Sequence, residues 1–489
     1  MTSVPDTIDS FIDDLRDYVS FNDIDYKRLS SDNLDSICVK LNNLVLCSIQ
    51  FLKNDSDGVK KEFLKKHKFQ AMVIDECHYG SSTTNTRDNI IDEGVEEIRQ
   101  NIKINIFSSG TPKKTQRFYK IPSNCTYMWT LYDEGQMKQL HKEGYKNDGI
   151  INDMNLRHGP DFVKCLEDGT LNKDYTNMPT NVLMKAKYPD KIVDKLLTLN
   201  EKTGNTYCLS WTSVLTTSKV LDENGNTIEK EEFEICKSID GQEILENFLT
   251  NIISNDKHDN SIMKRVEQKQ HLEGSRQSNK KHPLLFIIYL PTHTRNGTIS
   301  VTQKALCSFI KDKGLWKNYQ VEFSNCGHSM TDNNEKYNDE LKSIMKKTKD
   351  EEKRGCILFL GDKGSTGITY PDCDVSIHLD DGHNVEQQIQ KRARPGTPAK
   401  DKKIYINVDM NVQRCLYTLS EAIKGYQVGS KKDWGYKEII KYFYETKHFL
   451  YDEEDFNNGN MTPIEIDNYF DNLSKTIVDK INYMEIMES

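Results

Sequence analysis

A chain of 489 residues, 36% hydrophobic and 29% charged, has the length and balance of a globular protein of two or three domains. Its 66 Lys and Arg against 75 Asp and Glu give a net charge of −9, which excludes a globally basic nucleic-acid binder and confines any such contact to a local groove. The longest strongly apolar stretch, Leu284 to Leu290, is far short of a membrane span (roughly 18 residues), the N-terminus has no secretory pattern, and the 12 Cys include no C-x-x-C pair, so a soluble intracellular chain with reduced thiols and no membrane contact is expected.

Residues 1–45 read as acidic and helical, with apolar groups at helical spacing in Ile8–Leu15 and Leu34–Leu41. Leu44–Leu52 reads as a strand and Val59–His67 as a helix. Met72, Val73 and Ile74 then run into Asp75, Glu76, Cys77 and His78. A short apolar run of this kind reads as a buried parallel strand, and ligands of doubly wound sheets bind beyond the carboxyl ends of such strands. Two adjacent carboxylates there suit a Mg²⁺–nucleotide site, with Asp75 holding the metal directly or through water and Glu76 orienting or deprotonating the attacking water. A polar loop, a helix near Ile90–Gln100 and a strand at Ile102–Phe107 complete a βαβ pattern that ends in Ser108-Ser109-Gly110-Thr111-Pro112.

Between about Asn124 and Lys281 that pattern is lost. Turn-rich stretches separate modest apolar runs, with helices predicted at Gln242–Ile253 and Ser261–Leu272 and a basic linker at Arg276–Lys281. Strands then return at Leu284–Leu290, Tyr319–Phe323, Gly355–Leu360, Val375–Asp380 and Lys403–Val408. Helices at Val301–Lys313, Tyr337–Met345 and Asn384–Arg394 lie between them. The expected organisation is α/β: residues 1–123 a first parallel-sheet lobe, 124–281 an α+β insertion or connecting domain, 282–410 a second lobe, and 411–489 a helical tail.

Three stretches line up with one family. Asp75-Glu76-Cys77-His78 resembles the Walker B, or DExH, box of helicase superfamily two. Ser108–Pro112 resembles the motif that couples ATP state to nucleic-acid grip. Lys363–Thr369 followed by Gln387–Arg394 resembles the paired motifs of the second RecA-like lobe. The Ser-Gly-Thr-Pro form leans toward the Swi/Snf-like branch, which includes poxvirus-type nucleoside triphosphatases and related helicases of large DNA viruses. The resemblance covers roughly residues 44–115 and 284–410. It implies two RecA-like lobes, an ATP-dependent helicase or translocase using ATP and Mg²⁺, single- or double-stranded nucleic acid as partner, and a viral origin, with the virion or a viral factory as location.

The resemblance also implies roles. Asp75, His78, Gln387, Gln388 and Gly367 would contact nucleotide or metal, and Glu76 would act on the water. Arg392 or Arg394 would stabilise charge on the transferred phosphoryl group, a contribution of roughly 10³–10⁵ in rate. Two registers stay open: Gln387 as the motif's first residue puts Lys391 and Arg394 at its cationic positions, whereas Gln388 puts Arg392 and Pro395 there. Ser109 and Thr111 would link phosphate state to lobe movement. Thr292, Arg295, Gly364 and Thr366, with Ser48 less directly, suit phosphate-backbone contact. The plainer alternatives are a packed His78, a polar turn at Ser109 and Thr111, a surface loop at Thr292 and Arg295, and a basic helix face on solvent for the Arg pair.

One family element is missing. The phosphate loop, G-x-x-x-x-G-K-[ST], has no counterpart: neither Gly-Lys-Ser nor Gly-Lys-Thr occurs, and only Gly58 precedes Asp75. The expectation is an incomplete first lobe. Either a separate chain carries the loop, or the protein is a non-catalytic member that binds nucleic acid or the transcription machinery. A viral structural or scaffolding protein on the same fold is a third reading.

Overall fold

A computed structural model of the chain describes residues 24–29, 43–47, 58–67, 69–74, 97–100, 102–108, 119–122, 125–127, 129, 131–169, 177–185, 211, 214–219, 233–235, 239–254, 261–291, 299–323, 334–361, 370–380, 385–410 and 449–450, with single residues at 12, 34 and 475. The chain divides into two compact units, Met1–Met128 and Trp129–Ser489. It is an α/β protein, as its alternating strands and helices predict.

In the first unit Asp25–Arg28 (β1) pairs in parallel with Asn43–Leu46 (β2), and Ala71–Ile74 (β3) with Ile104–Phe107 (β4). Strand β1 departs from the helical reading of residues 1–45. Its backbone is committed to the β2 ladder, which the Leu29 amide extends by donating to the Leu46 carbonyl at 2.8 Å. The helix Val59–Lys66 (α1) places Glu62 in its first turn and Lys65 and Lys66 in its last, the arrangement its dipole favours. Leu64, Met72, Ile74, Ile98 and Tyr119 form the core. Strand β3 is buried on one face only: Met72 and Ile74 point inward while Val73 is 47% exposed. The Ser108 amide donates to the Ile74 carbonyl at 2.8 Å, so pairing of β3 with β4 runs to the residue before Asp75.

The second unit is built on one sheet of seven strands in which every neighbouring pair is parallel. In chain order they are Thr180–Lys185 (β5), Leu284–Tyr289 (β8), Tyr319–Phe323 (β9), Gly355–Leu360 (β10), Cys373–His378 (β11), Ile404–Asp409 (β12) and Phe449–Leu450 (β13). A separate antiparallel pair, Thr217–Lys219 (β6) and Phe233–Ile235 (β7), lies between β5 and β8 in sequence. In space the sheet runs β13-β5-β12-β11-β8-β10-β9. The chain leaves β8 toward β9 on one side, and leaves β11 toward β12 on the other. The carboxyl ends of the neighbours β8 and β11 therefore form a topological switch point, where open α/β sheets bind ligands.

Residues 124–281 share this architecture. They supply β5 to the sheet, and their helices Ile239–Ile252 (α5) and Ile262–Leu272 (α6) join the core of β8, β10, β11 and β12 through Phe248, Leu249, Ile262 and Val266. The Trp316 indole donates to the Leu249 carbonyl at 3.0 Å and ties α5 to the turn after Ile299–Asp312 (α7). Three shorter helices, Leu131–Lys142 (α2), Asp148–His158 (α3) and Phe162–Glu167 (α4), enclose a satellite core of Met137, Leu140, Met154 and Val163. Within it Asp133 receives Arg157 at 2.8 and 3.1 Å and His158 at 2.8 Å. Of the predicted tail, the described residues include β13, an edge strand beside β5.

Candidate functional site

Alternation along β11 and β12 creates the site. Val375, Ile377 and Leu379, with Ile404, Ile406 and Val408, face the large apolar core shared with α5, α6 and α7. Ser376, His378 and Asp380, with Asn407 and Asp409, alternate with them and so face the other side. Under β8 and β10 that side is apolar and packs Tyr337, Leu341, Ile344 and Met345 of Asn334–Asp350 (α8). Under β11 and β12 it is polar, buried, and covered by Val385–Ala393 (α9).

Two carboxylates receive α9. Asp380 Oδ2 accepts from Gln388 Nε2 at 2.5 Å and from Lys391 Nζ at 3.1 Å. Asp409 Oδ2 accepts from Arg392 Nη2. All five groups are buried; Asp380 is 3% and Arg392 4% exposed. Residues 388, 391, 392 and 395 share one helical face by spacing, and each is buried. The Lys391 ammonium also lies 5.4 Å from the centre of the Tyr289 ring, whose hydroxyl donates to the Lys391 carbonyl at 3.5 Å. Burial pushes the Tyr289 phenol well above its ordinary value, reinforced by charge at Cys373 and opposed by Arg394.

Behind the carboxylates the network fixes its own protons. Asn407 Nδ2 donates to Asn181 Oδ1 at 2.9 Å and to the Arg392 carbonyl at 3.0 Å. Its Oδ1 is therefore the acceptor for the Ser376 hydroxyl at 2.5 Å. With that proton given away, Ser376 Oγ accepts from His378 Nε2 at 2.9 Å. The assignment puts the His378 proton on Nε2 and leaves Nδ1 4.0 Å from Asp380 Oδ1. The His378 ring stacks on Tyr289 with centres 5.0 Å apart.

At the opposite, amino-terminal edge of β11 stands a third buried carboxylate, Asp374, held by Arg276 at 2.6 Å and Lys402 at 3.4 Å. Burial lowers the affinity of Lys402 for its proton, and Asp374 offsets that only in part. Lys402 Nζ also donates to the Cys373 and Thr397 carbonyls, at 2.7 and 2.8 Å. This cluster joins the stretch after α6 to β11 and to the turn before β12, a bracing role remote from the strands' carboxyl ends.

Among the residues singled out in the sequence, Gln388, Arg392 and Arg394 come together on α9 and the turn Arg394–Gly396 that continues it. Gln388 and Arg392 are committed to Asp380 and Asp409, whereas Arg394 is partly buried, its charge near enough to the buried Tyr289 and Tyr370 to act on both phenols. Lys391, the first cationic position in the register with Gln387 first, is likewise held by Asp380, so both registers place one buried, paired cation. The backbone of Gln387 is in α9. Asp75, Glu76, His78, Ser109, Thr111, Thr292, Arg295, Gly364, Thr366, Gly367 and Ser48 lie outside the described residues. In sequence, Asp75 follows the last residue of β3, and Gly364, Thr366 and Gly367 fall between β10 and β11. The reading from sequence missed Asp380, His378, Asn407 and Asp409. Their signal was present: polar residues alternating within strands otherwise apolar enough for full burial.

Among the described residues no cluster of three metal-ligating side chains occurs, and no helix is long and apolar enough to cross a membrane. No protein-family model matches the chain, and no curated protein matches it by sequence. Among solved structures it is similar to Saccharomyces cerevisiae Dbp5 bound to RNA and ADP BeF3, at 10% identity over 97% of this chain and 80% of that one, with a TM-score of 0.38. It is also similar to the Mycobacterium smegmatis helicase Lhr bound to single-stranded DNA and AMP-PNP, at 11% identity over 82% of this chain and 37% of that one, with a TM-score of 0.36.

Proposed function

We propose that the chain is an ATP-dependent helicase or translocase of superfamily two, closest in motif form to the Swi/Snf-like branch, and that it acts on nucleic acid. The observation that carries this reading is the position of the motifs relative to the strands. The Asp-Glu pair, the Ser-Gly-Thr-Pro stretch and the Lys363–Thr369 stretch each follow the last residues of a parallel strand, and α9 covers the polar face beside the switch point.

In this reading Asp75 holds Mg²⁺ with its hard carboxylate oxygen, and Glu76 orients or deprotonates water. The bound nucleotide supplies the phosphoryl group. Arg394 is the cation that stabilises charge on it, because Arg392 is already neutralised by a buried carboxylate. His78, Gln387 and Gly367 contact nucleotide, and Ser109 and Thr111 link its state to grip. Thr292, Arg295, Gly364 and Thr366 hold the phosphate backbone without reading bases.

A second reading has a specific observation in its favour. With no Gly-Lys-Ser or Gly-Lys-Thr in the sequence, the chain would bind nucleic acid without hydrolysing ATP, or would require a phosphate loop from a separate polypeptide. Titration of fluorescent single-stranded RNA and DNA with the purified chain, over a range of salt and with hydrolysis followed in parallel, separates the two. Turnover stimulated by nucleic acid and abolished by Glu76→Gln supports the motor. Salt-sensitive binding without turnover supports the binding subunit, and neither binding nor turnover refutes both.

A further inference from the structure

We propose that Asp380 is a positioning residue: a buried carboxylate that fixes α9 in one rotational setting on the sheet and thereby sets the position of Arg394. The inference rests on the reading of Arg394 given above. Of the side chains described on α9, the buried ones, Gln388, Lys391 and Arg392, dock through hydrogen bonds and charge. Apolar contact is non-directional and lets a helix slide or roll, whereas hydrogen bonds to a fixed oxygen do not.

Here the clasp has two points on neighbouring strands. Asp380, two residues past β11, takes Gln388 and Lys391 from successive turns of α9. Asp409, the last residue of β12, takes Arg392. Asn407, which also accepts from Ser376, donates to the α9 backbone at the Arg392 carbonyl, so β12 holds the helix at a further point. Well-packed apolar groups commonly match or exceed the stability of a buried ion pair, so directionality is the property such a clasp adds. Arg394 follows α9 without a break. The Thr397 hydroxyl donates to its carbonyl at 3.2 Å, and Pro395 beside it is buried, so a roll of α9 carries Arg394 with it.

The test uses the full chain in four forms: wild type, Asp380→Asn, Arg394→Ala and the double variant. Hydrogen exchange is read over residues 385–396, with α7 as internal reference. Asp380→Asn keeps the shape and loses the charge that holds Lys391. It should lower the protection of residues 385–396 by about tenfold or more and leave α7 unchanged. In nucleic-acid-stimulated hydrolysis, Asp380→Asn should reduce kcat by about tenfold with KM for nucleotide within about twofold, and the double variant should be no slower than Arg394→Ala alone. Unchanged exchange across 385–396, or losses that multiply in the double variant, would overturn the proposal. If the wild type shows no turnover, the hydrolytic reading fails, and the clasp then stands or falls on exchange alone. Lys391→Gln, read the same way, replaces Asp380→Asn if that variant does not fold.

Discussion

Two arginines two residues apart differ in burial. Arg392 is 4% exposed and paired with Asp409, while Arg394 is partly buried. An ion pair this deeply buried punishes the loss of one partner far more than the loss of both. Asp409→Ala should therefore destabilise the second unit by about 3–5 kcal/mol, read from urea unfolding, and pairing Asp409→Leu with Arg392→Met should recover most of that loss. A loss below about 1 kcal/mol for Asp409→Ala would mean that water reaches the pair. The thiols give an independent reading of burial. Burial pushes Cys356 and Cys373 up to about 12, so the neutral form holds through pH 9, whereas Cys125 is exposed. Iodoacetamide at pH 8.5 should thus alkylate Cys125 in the native protein and spare Cys356 and Cys373 until the chain is unfolded.

At the scale of elements, close approach sets the limits. A Cβ on Gly355, at the start of β10, would lie 2.6 Å from the Phe286 ring and 3.0 Å from the Leu284 carbonyl oxygen. Gly355→Ala should cost about 1–3 kcal/mol, because a ladder residue in a fully buried strand has no room to retreat; differential scanning calorimetry would show it as a lowered Tm. Strands β8, β9 and β10 were legible in the sequence almost to the residue, because β8 and β10 are continuous apolar runs and β9 alternates Tyr319, Val321 and Phe323 with polar residues. Helix α9 was legible as a helix but not in orientation. Its cations read equally well as solvated or catalytic until Asp380 and Asp409 are placed opposite them, and those carboxylates come from strands whose neighbours only tertiary structure defines.

For the molecule as a whole, the long-range pairing of the sheet was not legible. Strand β5 pairs with β12 across more than 200 residues of chain, in register from Thr180 opposite Ile404 to Lys185 opposite Asp409. No local pattern in Thr180-Asn181-Val182-Leu183-Met184-Lys185 announces that partner. What is legible at this scale is sequence order: Asp75–His78, Ser108–Pro112 and Lys363–Thr369 each follow a parallel strand in the chain. If those stretches act on nucleic acid, a chain of net charge −9 must bind it through a local cationic surface. Affinity for a single strand should then fall by roughly one to three orders of magnitude between 50 and 200 mM salt, measured by fluorescence anisotropy.

The most direct measurement is steady-state ATP hydrolysis by the full chain, titrated with single-stranded RNA and DNA, beside Glu76→Gln and Arg394→Ala. The account predicts a rate that rises with nucleic acid, vanishes in Glu76→Gln, and falls by about 10³-fold or more in Arg394→Ala with nucleic-acid affinity retained. Saturating nucleic-acid binding with no turnover above the Glu76→Gln background would contradict it.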